Sequence, residues 1–218
     1  MYIDKGLHWG DSELLRAFPS GARRAAGILH QKVINQLAER GMGIDTRGVT
    51  SVHAQGAKEY SATPYLLLKR IFESIKPQPT DVFLDVGCGK GRAICVASLR
   101  ALHRVIGIDI DGDLLLAARR NLNRVPWRTP VELYQVRAEN YIYSDVSILF
   151  LYNPFEFWVL REFVARLKET HRRALRVVYV NSVNDEVFDR ASWLTKYEVW
   201  PPGALPGWPY PVTFYRSN

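Results

Sequence analysis

The sequence predicts an α/β domain: a seven-stranded, mostly parallel sheet with helices on both faces, preceded by an N-terminal helical extension. Three observations carry that prediction. Short β-prone apolar runs alternate with helix-like segments from about residue 80 onward, the sign of a parallel sheet. Val82-Phe83-Leu84-Asp85-Val86 runs directly into Gly87-Cys88-Gly89-Lys90-Gly91 and then a helix start. Residues 1–60 show helical rather than strand spacing, which makes them an extension and leaves 61–218 as the main domain.

Taken in order, residues 12–18 suit a short helix, and 20–40 a longer one with Ile28, Leu29, Val33, Ile34 and Leu37 on its apolar face. Gly41 and Gly43 stop it. A polar loop to Ser61 follows. Thr63 and Pro64 then open a helix carrying Leu66, Leu67, Ile71 and Ile75, with Thr63 as cap and Pro64 at the first helical position. After Pro77 and Pro79 come strand 82–86, helix 91–101, strand 104–109, helix 112–122 and strand 131–136. Strand 146–152, a helix over about 156–172 with Trp158, Leu160, Phe163, Val164 and Leu167 inward, and strand 175–181 complete the alternation. A short helix at 184–190 and strands near 193–200 and 210–216 end the chain, joined by the proline-rich link 201–209.

The glycine turn bears on chemistry. Glycine allows positive φ and close approach to the backbone, and the helix behind it offers a positive dipole end. Nicotinamide dinucleotides call for G-x-G-x-x-G. The spacing here is G-x-G-x-G, with Asp85 two residues ahead of Gly87. This pattern resembles the class I S-adenosylmethionine-dependent methyltransferases, whose domain is Rossmann-like. The likeness runs over roughly residues 60–216.

What the resemblance implies can be read position by position. Asp85 would pair with the cofactor's α-ammonium group beside Gly87, Cys88, Gly89 and Gly91. Asp109 ends the second strand 22 residues after Gly87 and would accept from the ribose hydroxyls, since Asp111 can cap the next helix. Ile110 would pack on the adenine, and Glu139 would meet its amino group. Tyr60, Thr63 and Tyr65 precede the first strand and would contact the methionine part. Tyr152, Asn153, Pro154 and Phe155 end the fourth strand beside the methyl group. That turn is similar to the Asn-Pro-Pro-aromatic motif of amino-methyltransferases, with one proline in place of two, and to small bacterial methyltransferases that carry Tyr-Asn-Pro-Phe. It would offer the Asn153 side chain and the Pro154 carbonyl to an acceptor amine, with Tyr152 and Phe155 shielding the sulfonium. Trp208 is a candidate lid, and His53 and Tyr60 are the candidate bases.

Composition narrows the rest. The chain has 218 residues, 47% of them hydrophobic, and no apolar run of membrane-spanning length. It starts without a signal peptide's build, and its two cysteines, Cys88 and Cys95, suit neither a disulfide nor a metal site. A cytoplasmic setting is expected, as a monomer or homodimer with no metal. Net charge is +7, with the surplus in residues 61–130, where 11 basic residues face 6 acidic. Arg119, Arg120, Arg124 and Arg128 would suit an anion, nucleic acid included, though a solvated helix face accounts for them as well. Tyr2, His8, Trp9 and Phe18 read as packing residues. The expected function is methyl transfer from S-adenosylmethionine, by direct in-line displacement, to a nitrogen of a small molecule or protein side chain. RNA methylation, nicotinamide-dependent oxidoreduction and non-catalytic cofactor binding are the alternatives.

Overall fold

A computed structural model of the chain describes residues 20–52 and 54–218. The expectations for residues 12–18, for Tyr2, His8, Trp9 and Phe18, and for His53 as a base lie outside the described residues. Helix α1 spans Ser20–Met42 and α2 Tyr65–Ile75. Strand β1 (Val82–Val86), α3 (Arg92–Ser98), β2 (Arg104–Asp109), α4 (Gly112–Leu122) and β3 (Val131–Gln135) follow. A 3₁₀ turn at Ala138–Asn140 leads to β4 (Ile148–Tyr152), α5 (Phe157–Thr170), β5 (Arg176–Val180), α6 (Glu186–Asp189), β6 (Leu194–Trp200) and β7 (Val212–Ser217).

The seven strands form one sheet in the order β3-β2-β1-β4-β5-β7-β6. Only β7 runs against its neighbours, pairing antiparallel with β5 and β6. Strand order reverses between β1 and β4, which are parallel and directly bonded. A crevice therefore opens at their carboxyl ends, the usual ligand position in such sheets. Alternation along the strands feeds two cores. Phe83, Phe150, Val178 and Phe214 face α2, α3 and α4. Leu84, Ile106, Leu149, Tyr179 and Tyr215 face α5 and α6. Each such buried aromatic or aliphatic side chain contributes about 1.5–3 kcal/mol. Both faces being covered explains why β1 reads as an unbroken apolar run apart from Asp85.

Three sequence expectations fail here for physical reasons. On α1, Ile28, Leu29, Val33 and Leu37 are exposed, and only Ile34 of the expected stripe is buried. The face that packs is set by Gly27, where a Cβ would lie 2.5 Å from the Gly207 backbone, and by Gln31, whose Nε2 donates to Pro206 O at 2.6 Å. Thr63 does not cap α2: Pro64 is the N-cap residue, without a side-chain bond, and the Thr63 carbonyl accepts from Arg92 Nη1 at 3.2 Å. Trp158 is exposed, one position off the α5 stripe of Val159, Leu160, Phe163, Val164 and Leu167. The arginines after β2 are partly tied down, Arg119 to Leu133 O and Arg124 to Gly43 O. Among the described residues no helix is long and apolar enough to cross a membrane, and no group of three or more His, Cys, Asp or Glu could hold a metal ion.

Candidate active site

The β1–α3 turn is bonded to itself and to β2. Gly87 and Cys88 donate their N–H groups to Ile108 O at 2.9 and 3.0 Å, and Gly91 N–H donates to Cys88 O. Gly89 N–H donates to Asp109 Oδ2 at 2.7 Å. These four N–H groups are taken up within the protein, so they are not free to hold a pyrophosphate. The glycines serve close packing as well. Gly87 has φ +72° and a Cβ there would stand 2.8 Å from Pro154 Cβ. Gly89 has φ +53° and its Cβ would fall inside the Tyr60 ring.

Beside the turn lies a cavity that, counted with its open mouth, holds about 700 Å³. Asp109, Ile110 and Leu114 form one wall, and Val136, Ala138 and Glu139 another. Tyr60, Tyr152, Pro154 and Phe155 close the side toward β4. Asp109 is 7% exposed and each of its oxygens accepts one backbone N–H, from Gly89 and from Asp111 at 2.9 Å. A carboxylate has about four lone-pair sites, so two hydroxyls of a ligand can still be met. Burial raises the Asp109 pKa against the lowering effect of those bonds. Asp111 caps α4 by accepting from Asp113 and Leu114 N–H. Ile110 and Leu114 offer a flat apolar surface, and Glu139 is paired with Arg137.

A second, more open chamber shares Tyr152 with the first and, counted with its open mouth, holds about 990 Å³. Residues 54–61 arch over the boundary. Ala57 bridges Phe155, Lys58 N–H donates to Pro154 O at 2.9 Å, and Glu156 N–H donates to Gly56 O at 2.9 Å. Asn153 sits at φ +39°, a left-handed conformation that asparagine tolerates better than most residues. Its Oδ1 accepts from Lys58 Nζ at 3.2 Å and from the Tyr179 hydroxyl at 3.2 Å. Burial pushes the Tyr152 hydroxyl to about 12, so it keeps its proton near neutral pH.

The residues expected from sequence do not all reach these spaces. Gly87, Asp109, Ile110, Glu139, Tyr60, Tyr152, Pro154 and Phe155 line the first cavity, and Asn153 and Tyr152 line the second. Asp85 stands behind the wall, buried; desolvation, then the Asp109 charge, raise its carboxyl well above the usual range. Cys88 turns its thiol into the sheet, where a Cβ on Gly107 would approach Sγ to 2.9 Å, and burial raises its pKa. Gly89 and Gly91 line neither space: Gly89 is covered by the Tyr60 ring and Gly91 packs toward Ala118. Thr63 is buried beneath Arg92, and Tyr65 lies under the same guanidinium at 4.7 Å. Tyr60 is no base, because its hydroxyl donates to Thr46 O at 2.7 Å and burial raises its pKa. Trp208 is no lid: it is 6% exposed, packs on Tyr152 at 5.7 Å and lines neither space.

Sequence reasoning missed Lys58, Ser61, Tyr179, Asn181 and Tyr210. Lys58 lies in a polar loop without periodicity, and its partner Asn153 is 95 residues away. It also missed the ion pair under the arch. Glu39 Oε1 accepts from Arg92 Nη2 at 2.9 Å and from the Thr46 hydroxyl, and Arg92 and Glu39 are both buried.

Comparison with known proteins agrees with this architecture. Residues 83–177 match the family model described as a methyltransferase domain. A search of curated protein sequences found no match. Among solved structures, the RNA methyltransferase of Salinibacter ruber in complex with S-adenosyl-L-homocysteine is 24% identical, with a TM-score of 0.53 over 72% of this chain and 92% of that one. The magnesium protoporphyrin IX methyltransferase of Synechocystis with bound S-adenosylmethionine is 11% identical, with a TM-score of 0.57 over 70% and 79%. An S-adenosylmethionine-dependent methyltransferase of Aquifex aeolicus is 14% identical, with a TM-score of 0.55 over 69% and 89%. Residues 83–177 thus match a methyltransferase domain, and the fold around them is the one found in S-adenosylmethionine-dependent methyltransferases.

Proposed function

We propose that the chain transfers a methyl group to a nitrogen of a small molecule or protein side chain that enters through the chamber beyond Tyr152. The observation that carries this is the shared wall: Tyr152 lines both spaces, and Pro154 and Phe155 complete the first. S-adenosylmethionine, bound in the first cavity, supplies an activated methyl group for in-line displacement without a strong base. Asp109 would hold the ribose, Ile110 and Leu114 the adenine, and Asp85 the α-ammonium group through the turn. Tyr152 and Phe155 would exclude water and face the sulfonium charge. The Pro154 carbonyl, already accepting from Lys58 N–H, has a second lone pair for an amine N–H. In this reading residues 1–60 act as a cap on the catalytic unit 61–218.

RNA as the acceptor is the second reading, favoured by the net charge of +7 and by the RNA methyltransferases among the similar structures. One experiment separates the two. The protein is incubated with methyl-labelled S-adenosylmethionine and a cell extract divided into small-molecule, protein and RNA fractions. Label on nitrogen in either of the first two fractions is the expected result. Label confined to RNA replaces it with the second reading, and failure to bind S-adenosylmethionine in calorimetry ends both.

A further inference from the structure

The family resemblance has Asn153 offering its side chain to an acceptor amine, yet its surroundings assign it the opposite role. A lysine ammonium has three donors and no acceptor. What Lys58 Nζ meets on Asn153 at 3.2 Å is therefore the carboxamide oxygen, and the Tyr179 hydroxyl at 3.2 Å meets the same atom. The orientation of the carboxamide follows from the chemistry of Lys58. Among the described residues Asn153 Nδ2 has no hydrogen-bond partner, and it is not among the buried polar atoms left without one. Its N–H groups thus open on the chamber that Asn153 lines. The Lys58 ammonium lines the same chamber, half-buried and without a carboxylate partner among the described residues.

We infer that the chamber docks acceptors bearing a single anionic oxygen group, a carboxylate above all, held by Lys58 Nζ and Asn153 Nδ2. Charge-assisted hydrogen bonds of this kind are about twice as strong as neutral ones. Glu59 and Glu156 also line the chamber, but both are exposed, so they stand toward solvent while Lys58 and Asn153 form the floor. Two carboxylates there disfavour a second anionic group on the acceptor. The inference rests on the chamber being the acceptor side, and it adds the chemical class of the acceptor to that reading.

The test uses two matched fragments, benzoate and benzylamine, titrated by ligand-observed NMR into the full chain saturated with S-adenosylhomocysteine. Benzoate is expected to bind at least about tenfold more tightly than benzylamine, the worth of one charge-assisted bond. Lys58→Met should remove that preference and Lys58→Arg should keep it. Binding of S-adenosylhomocysteine is measured first on each variant, so an unfolded variant is recognised before the fragments are compared. Preference for benzylamine, equal or absent binding of both fragments, or benzoate binding unaltered by Lys58→Met overturns the inference. If S-adenosylhomocysteine itself does not bind the unsubstituted chain, the proposed function fails instead.

Discussion

The two spaces flanking Tyr152 are built by different means. The first is framed by consecutive strand-to-helix turns that bond to one another locally: Gly87 and Cys88 N–H to Ile108 O, Gly89 N–H to the Asp109 carboxylate, and the first turn of α4 to the Asp111 carboxylate. The second depends on side chains reaching across the chain, Lys58 and Tyr179 to Asn153, while the arch between the two spaces is held by Tyr60 to Thr46 and Glu39 to Arg92. A space made of local turns inherits its shape from the sheet. A space made of distant side chains can change its lining while the sheet stays the same, which is how one fold serves many acceptors.

Substitutions can break this contrast, and the largest effect is expected under the arch. Glu39→Ala leaves the Arg92 guanidinium buried without its carboxylate and frees the Thr46 hydroxyl. Breaking a buried pair costs about 3–5 kcal/mol, to be read from urea denaturation. A loss under about 1 kcal/mol, the scale of a surface pair, would mean that the arch is held by something else. Asp109→Ala comes next. It should weaken S-adenosylmethionine by about 10- to 100-fold, as for one or two hydrogen bonds to a charged group. Unchanged affinity in calorimetry would remove the ribose role from Asp109.

The smallest effect sharpens the contrast through pH. Asp85 has a folded-state pKa raised by burial and then by Asp109. A raised pKa means that the protonated form favours the fold below the unfolded value of about 3.9, and that this contribution is lost as pH rises through the folded value. Asp85→Asn should therefore raise the melting temperature at neutral pH by a few degrees, with the gain shrinking as pH falls toward 4. The same variant should bind S-adenosylmethionine less well. A gain independent of pH would show that the charge on Asp85 is not what opposes folding.

Legibility in the sequence follows the same division. The strands of the first space were readable because burial on both faces leaves an apolar run, and their ends were marked by Gly87, Asp109 and Asn153. Asp109 and Ile110 were legible by their distance from the glycine turn. Lys58 and Tyr179 were not, since each is defined by contact with Asn153 and by nothing nearby in sequence. The face of α1 was misread for a related reason. Hydrophobicity pointed to Leu29 and Val33, whereas the contact is a backbone approach at Gly27 and a polar one at Gln31. Trp208 and Thr63 show that a residue type apt for a lid or a cap can serve as filler once an aromatic wall or an arginine lies beside it.

The contact of Pro154 with Gly87 has a thermodynamic consequence. The space beside Gly87 is filled by Pro154, which follows Asn153 of the second chamber in the turn that ends β4, so the two spaces meet at that turn. Any displacement of the glycine turn when its cavity fills reaches Pro154 without an intermediary. Where such a displacement improves the fit of an acceptor, that acceptor must tighten the hold on the cofactor by the same factor, because coupling between two bound ligands is reciprocal. Cooperative loading would then run through one van der Waals contact, and the size of the coupling would measure how rigid that contact is.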